Sequence, residues 1–95
     1  MDNILVYCEL DGGRVAEVSL ELLSKGRQLA DTLGVSLEAV ALGDNLAGVA
    51  RQVFPYGVDR LHLFDDARLN PYTTLPHSAV LEKFIREEKP QIFLL

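Results

Sequence analysis

Residues Asn3 to Glu9 read NILVYCE, a compact apolar run of the length and branching expected for a strand buried on both faces. Asp11-Gly12-Gly13 breaks it with turn-forming dipeptides. Ser19 is the expected N-cap of a first helix, and Glu21 falls in its first turn, where a carboxylate meets the helix dipole. Leu22, Gly26, Leu29 and Leu33 then make one stripe, flanked by Leu23 and Ala30, and Gly26 would let this helix lie close against a sheet. Gly34 stops it. Val35 to Leu42, VSLEAVAL, is a second strand. Asn45 is the expected cap of a short second helix that places Leu46, Val49, Ala50 and Val53 on one face and ends at Pro55 and Gly57. Asp59 to Phe64, DRLHLF, alternates instead: Leu61 and Leu63 on one side, and Arg60, His62 and Phe64 on the other. That pattern suits a strand at a sheet edge. A loop punctuated by Pro71 and Pro76 follows. Thr74 is the expected cap of a third helix whose stripe is Val80, Leu81, Phe84 and Ile85, and Lys89-Pro90 leads into a last strand, QIFLL.

Strands that alternate with helices imply parallel pairing, right-handed crossovers and helices on both faces of the sheet. The fold class is therefore α/β, a three-layer doubly wound parallel sheet of the Rossmann-like, adenine-nucleotide alpha-hydrolase-like kind. No internal repeat or linker divides residues 1–95, which make one domain. In such a sheet the strand ending at Leu95 is ordinarily covered by a further helix. The expectation is a fold incomplete at its C-terminus, in a chain that is a fragment or part of something longer.

Composition narrows this further. The formal net charge is −5 with acids and bases interspersed, which argues against nucleic acid, since phosphate binding needs clustered Lys and Arg. No apolar run approaches a membrane span, and MDNILVYCEL has no basic lead of the kind a signal or transit peptide carries. A single cysteine, Cys8, excludes an intramolecular disulfide, fits a reducing compartment, and reads as a small apolar residue at a strand end. A bacterial or archaeal cytoplasmic protein is the expectation, although a processed mitochondrial chain would look the same.

Candidate chemistry is sparse. After the first strand comes CELDGGRVAEVS, whose adjacent glycines do not match the G-x-G-x-x-G cradle, and the P-loop pattern is absent. Glu9 and Asp11 after the first strand, with Asp65 and Asp66 after the third, could hold Mg²⁺ around a phospho-accepting aspartate. A phospho-receiver domain, however, needs its acidic pair directly before the first helix, so solvated loop acids are the plainer reading. His62 and His77 lack partners at metal-ligand spacing and read as surface or packing residues. Ser19 and Ser24 belong to a helix, and no nucleophile elbow follows any strand. No catalytic, cofactor-binding or metal residue is assigned.

Several stretches, taken in order, resemble the N-terminal domain of electron transfer flavoprotein α subunits. They are NILVYCELDGGRVAEVSLELLSKGRQLAD, VALGDN, YGVDRLHLFDDARLNPYTT and IREEKPQIFLL. The set Tyr56-Gly57-Val58-Asp59 followed by Asp66, Leu69 and Tyr72 is its most specific part. The resemblance implies a heterodimer with an electron transfer flavoprotein β subunit that carries electrons on FAD from acyl-CoA or other dehydrogenases to an acceptor, without membrane insertion. It implies that this domain is a scaffold packed on the β subunit, not a catalyst, and that a C-terminal domain absent here supplies most of the FAD site. No FAD is then expected on these 95 residues alone. The family's strand order, third-second-first-fourth, puts a crevice between strands one and four, with Glu9 to Gly13 as one wall and the other beyond Leu95. Tyr72 in NPYTT is either part of a subunit contact or a packing residue of its own loop. The alternatives are a nucleotide-binding module of the universal-stress-protein type, or the receiver domain.

Overall fold

The computed structural model describes residues 3–11, 13–43, 46–65 and 77–94. The elements run β1 (Asn3–Tyr7), β2 (Leu10–Asp11), β3 (Arg14–Val15), α1 (Glu17–Leu33), β4 (Ser36–Gly43), α2 (Val49–Val53), a 3₁₀ turn (Phe54–Tyr56), β5 (Arg60–Asp65), α3 (His77–Glu88) and β6 (Ile92–Leu94). The main sheet has the order β5-β4-β1-β6 with every pairing parallel. This is the order the resemblance implies, and the alternating strand lies at the edge as its pattern required.

Side-chain alternation along the strands sends Ile4, Val6, Leu37, Ala39 and Ala41 to one face, where they bury against Leu23 and Ala30 of α1 and Val49 and Val53 of α2. Leu5, Val40 and Leu42 point to the other, where Phe84 of α3 completes a smaller cluster fringed by Tyr7, Phe64, Val80, Leu81, Ile85 and Phe93. From Leu37 to Gly43 all of β4 is buried, as a central parallel strand must be.

The first helix differs from its reading in register. It begins at Glu17, with Ala16 in the N-cap position and no side-chain cap, so Glu17 and not Glu21 is the acid of the first turn. Ser19 is not the cap: it is 2% exposed, inside the first turn, and its Oγ accepts the Glu9 N–H at 2.8 Å. The buried stripe is Ser19, Leu23, Gly26 and Ala30; Leu22 and Leu29 border it and Leu33 faces outward. Close approach selects the smaller side chains. A Cβ on Gly26 would stand 2.9 Å from Leu37 Cδ1 and 3.3 Å from Val6 Cγ2, so only glycine lets the helix axis come this near the sheet. Gly34 ends the helix in the left-handed region (φ 69°, ψ 35°), as expected.

A two-stranded antiparallel hairpin, β2 with β3, was not foreseen. Its strands are two residues each, too short for a period to register, although a turn between Leu10 and Val15 was visible in the sequence. The hairpin is pinned at its base: Ala16 N–H donates to the Glu9 carbonyl (2.8 Å), and Val15 N–H donates to Gln52 Oε1 (2.7 Å). The second helix is shorter than its apolar face suggested. Leu46 precedes it, buried, and Gly48 occupies the N-cap position. Asn45 and Thr74, read as caps, lie outside the described residues.

Arg27 links three elements. Its guanidinium donates to the Gly57 carbonyl (2.7 Å) and to Asp59 Oδ2 (3.2 Å), and pairs with Asp31 (2.8 Å). Asp59 Oδ2 also accepts the Leu37 N–H at 2.8 Å. That backbone hydrogen bond, helped by Arg27 against a smaller burial effect, holds the Asp59 carboxyl below its usual range.

Candidate functional site

The carboxyl ends of the strands are where ligands bind in open α/β sheets. Beside the end of β1 lies a cleft of about 290 Å³ lined by Tyr7, Glu9, Val18, Ser19 and Leu22. It is built by the turn out of β1, where Ser19 reaches back to Glu9, and by the first turns of α1. Burial, followed by the neighbouring Glu9 and Cys8, raises the Tyr7 hydroxyl above its ordinary value. Burial pushes the Cys8 thiol up to about 12, so at neutral pH no thiolate is available and Cys8 acts as the small core residue it was read to be.

Among the described residues, the acids read as possible Mg²⁺ ligands do not converge. Glu9 and Asp11 leave β1, whereas Asp65 ends β5, and β4 lies between those strands, which sets them roughly 10 Å apart. Asp65 is exposed at the end of its strand, as a solvated acid would be, and its Oδ2 also accepts the Leu46 N–H at 3.1 Å, which fastens the entrance to α2. Asp66, Leu69 and Tyr72 lie outside the described residues, as does the side chain of His77, which opens α3. Ser24 is exposed on α1.

A dinucleotide does not fit what this cleft offers. The turn after β1 is a hairpin and not a phosphate-wrapping loop, the one charged residue among the described lining is the acidic Glu9, and Val18 and Leu22 close the helix side. Its volume is at the small end for ligand pockets.

The other end of the sheet holds something the sequence reading did not find. On the α3-facing side, at the amino ends of β1, β4 and β5, Asn3, Glu38 and His62 stand together. Asn3 is 2% exposed and Glu38 is 5% exposed. His62 Nε2 lies 2.7 Å from Glu38 Oε1. Asn3 Nδ2 donates to Glu38 Oε2 at 3.0 Å, and Ser36 Oγ donates to the same oxygen at 3.3 Å. Burial alone would raise the Glu38 pKa; the hydrogen bonds from His62 and Asn3, with the charges of His62 and Arg60, hold it below its usual value instead. The His62 ring packs on Phe84, centroids 4.7 Å apart. Glu88, the last residue of α3, completes a group whose carboxylate and imidazole atoms all lie within 4.8 Å of one another. His62 has no partner at metal-ligand spacing in the chain because Glu38 lies 24 residues away. One signal was available: Glu38 is the only charged residue in the largely apolar run VSLEAVAL.

Among the described residues no helix is long and apolar enough to cross a membrane. Comparison with known proteins gives a consistent result along nearly the whole chain. Residues 4–95 match the family model described as "Electron transfer flavoprotein domain". The chain is 35% identical over 93 residues to the electron transfer flavoprotein subunit alpha of Megasphaera elsdenii, covering 98% of this chain and 28% of that protein. It is 36% identical to the acryloyl-CoA reductase electron transfer subunit beta of Anaerotignum propionicum, covering 98% of this chain and 25% of that one. To Protein FixB of Rhizobium meliloti (strain 1021) it is 38% identical, with 98% and 28% covered. The chain thus spans about a quarter of the length of these relatives. The four-stranded parallel sheet, its strand order and the match over residues 4–95 together establish that this chain belongs to the electron transfer flavoprotein domain family.

Proposed function

We propose that these residues are the N-terminal scaffold and subunit-contact domain of a flavin-dependent electron carrier, equivalent to part of an electron transfer flavoprotein α subunit. The observation that carries this reading is the family match over residues 4–95 on a chain about a quarter as long as its relatives. The carrier's FAD would be held by sequence beyond these residues. The pinned hairpin after β1 supports this, because it stands where a nucleotide-binding member of this architecture runs its phosphate loop. The domain would not be a catalyst in its own right. It would position the flavin domain and pack against a second subunit of the electron transfer flavoprotein β type, and dehydrogenases would deliver electrons to the intact heterodimer. The names of the relatives, two of which include the word subunit, support that assembly. A cytoplasmic setting is in keeping with a lone, buried cysteine.

The test is the visible absorption spectrum of the natively encoded full-length chain, purified with whatever subunit accompanies it. Flavin bands in a complex with a second polypeptide are expected. A colourless protein that purifies alone and binds a nucleotide instead would overturn the reading.

A further inference from the structure

Asn3 and Glu38 are two of the three polar or charged residues buried among those described, and both belong to the cluster at the amino ends of the strands. We propose that Glu38, His62 and Glu88 form a site for one divalent cation of the Zn²⁺ type, with the Asn3 amide beside it.

The donors fit. An imidazole nitrogen and two carboxylates come from β4, β5 and the end of α3, and their ligand atoms lie within 4.8 Å of one another. Three protein ligands plus a water is the count of an open Zn²⁺ site, and imidazole nitrogen and carboxylate oxygen are both Zn²⁺ donors, with bonds of about 2.0–2.2 Å and hence ligand separations of roughly 3.4 Å in a tetrahedron. His62 Nε2 and Glu38 Oε1, now 2.7 Å apart, would open by roughly 0.7 Å as the cation takes the place between them.

The surroundings are those of an oriented ligand. Asn3 Nδ2 and Ser36 Oγ both engage Glu38 Oε2, which leaves Oε1 as the atom aimed at His62. The Phe84 ring packs on the imidazole and limits its rotation. Supporting contacts of this type fix a ligand's orientation and commonly matter ten- to a hundredfold in metal affinity.

Two further atoms point the same way. Glu88 Oε1 and Asn3 Oδ1 are both shut off from solvent and have no hydrogen-bond partner. An orphaned carboxylate oxygen is costly beside a second carboxylate, because like charges repel and neither is fully solvated. The cationic groups acting on Glu38 are Arg60, at the exposed start of β5, and His62 when protonated. A divalent cation would satisfy Glu88 Oε1, offset both carboxylates and give Asn3 Oδ1 a nearby positive charge. The bound ion would fasten the end of α3 to the two strands β4 and β5.

The experiment uses the full-length chain with its native partner subunit, stripped with a chelator and then titrated with Zn²⁺ alone against a competing indicator. Wild type should bind one equivalent more than His62→Gln or Glu88→Ala, or bind that equivalent at least about tenfold more tightly. Glu88 sits at the half-exposed end of α3, so its variant keeps the test valid if His62→Gln fails to fold, as circular dichroism would reveal. Identical Zn²⁺ stoichiometry and affinity in wild type and Glu88→Ala, or no Zn²⁺ bound by wild type, would overturn the proposal.

Discussion

The two faces of the sheet are built on different principles. Toward α1 and α2, the strands offer Ile4, Val6, Leu37, Ala39 and Ala41, and the helices answer with Leu23, Gly26, Ala30, Val49 and Val53. That face is held by close packing and apolar burial. Toward α3, the same strands offer Leu5, Val40 and Leu42 near their middles, but Asn3, Glu38 and His62 at their beginnings. Here one end of the layer is held by hydrogen bonds and charge. A single alternation of side chains along β4 therefore separates a face that depends on shape alone from one that adds electrostatics at the amino ends of its strands.

The largest effect should come from hollowing the packed face. Leu23→Ala removes a fully buried side chain and should cost about 2–5 kcal/mol in denaturant unfolding. Overfilling the same face should cost somewhat less. Gly26→Val adds atoms where even a Cβ meets Leu37 and Val6, for roughly 1–3 kcal/mol; a near-neutral result would mean that α1 can move off the sheet.

On the other face the effect should depend on which partner is left behind. Glu38→Ala leaves Asn3 Nδ2 and His62 Nε2 without their acceptor and should cost about 1–3 kcal/mol. A paired Glu38→Leu and His62→Leu chain should recover the His62 share of that loss, though not the share of the buried Asn3 amide, if the face tolerates apolar filling. A double variant no better than Glu38→Ala would show that the polar arrangement itself is needed.

The smallest effect should be at Asp59, whose side chain is half exposed, so solvent screening keeps its contribution to a fraction of a kcal/mol. Its folded carboxyl lies below the unfolded value of about 3.9. The stability it contributes is thus complete above that value and is lost as pH falls through the folded one. Unfolding curves collected from neutral to strongly acidic pH should show Asp59→Asn less stable than wild type at neutral pH, with the gap closing below about pH 4. A pH-independent gap would remove Asp59's charge from the explanation.

Much of this was legible in the sequence, and what was not has identifiable physical causes. Strand and helix order followed from periodicity, the edge position of β5 from the alternation of DRLHLF, and the close approach of α1 from Gly26. The register of α1 was displaced because Ser19 resembles a cap when only local chemistry is considered. Its hydroxyl is instead taken by the Glu9 N–H, a contact that exists only once the hairpin has formed. The Glu38–His62 pair was hidden for a related reason: strand register brings Val40 opposite His62, and with it Glu38 within reach, and nothing in the chain's local pattern encodes that alignment. Metal-ligand spacing finds ligands on one element and misses those assembled by a sheet.

In the proposed function, this domain would support a flavin that it does not itself hold. The most direct measurement is the flavin-to-protein absorbance ratio of the purified full-length complex carrying Glu9→Gln, a change at the exposed carboxylate of the cleft beside β1. A ratio equal to wild type, with the flavin bands unshifted, is the expected result. A folded complex that loses its flavin, or whose bands move, would contradict the claim and bring the cofactor into contact with this domain.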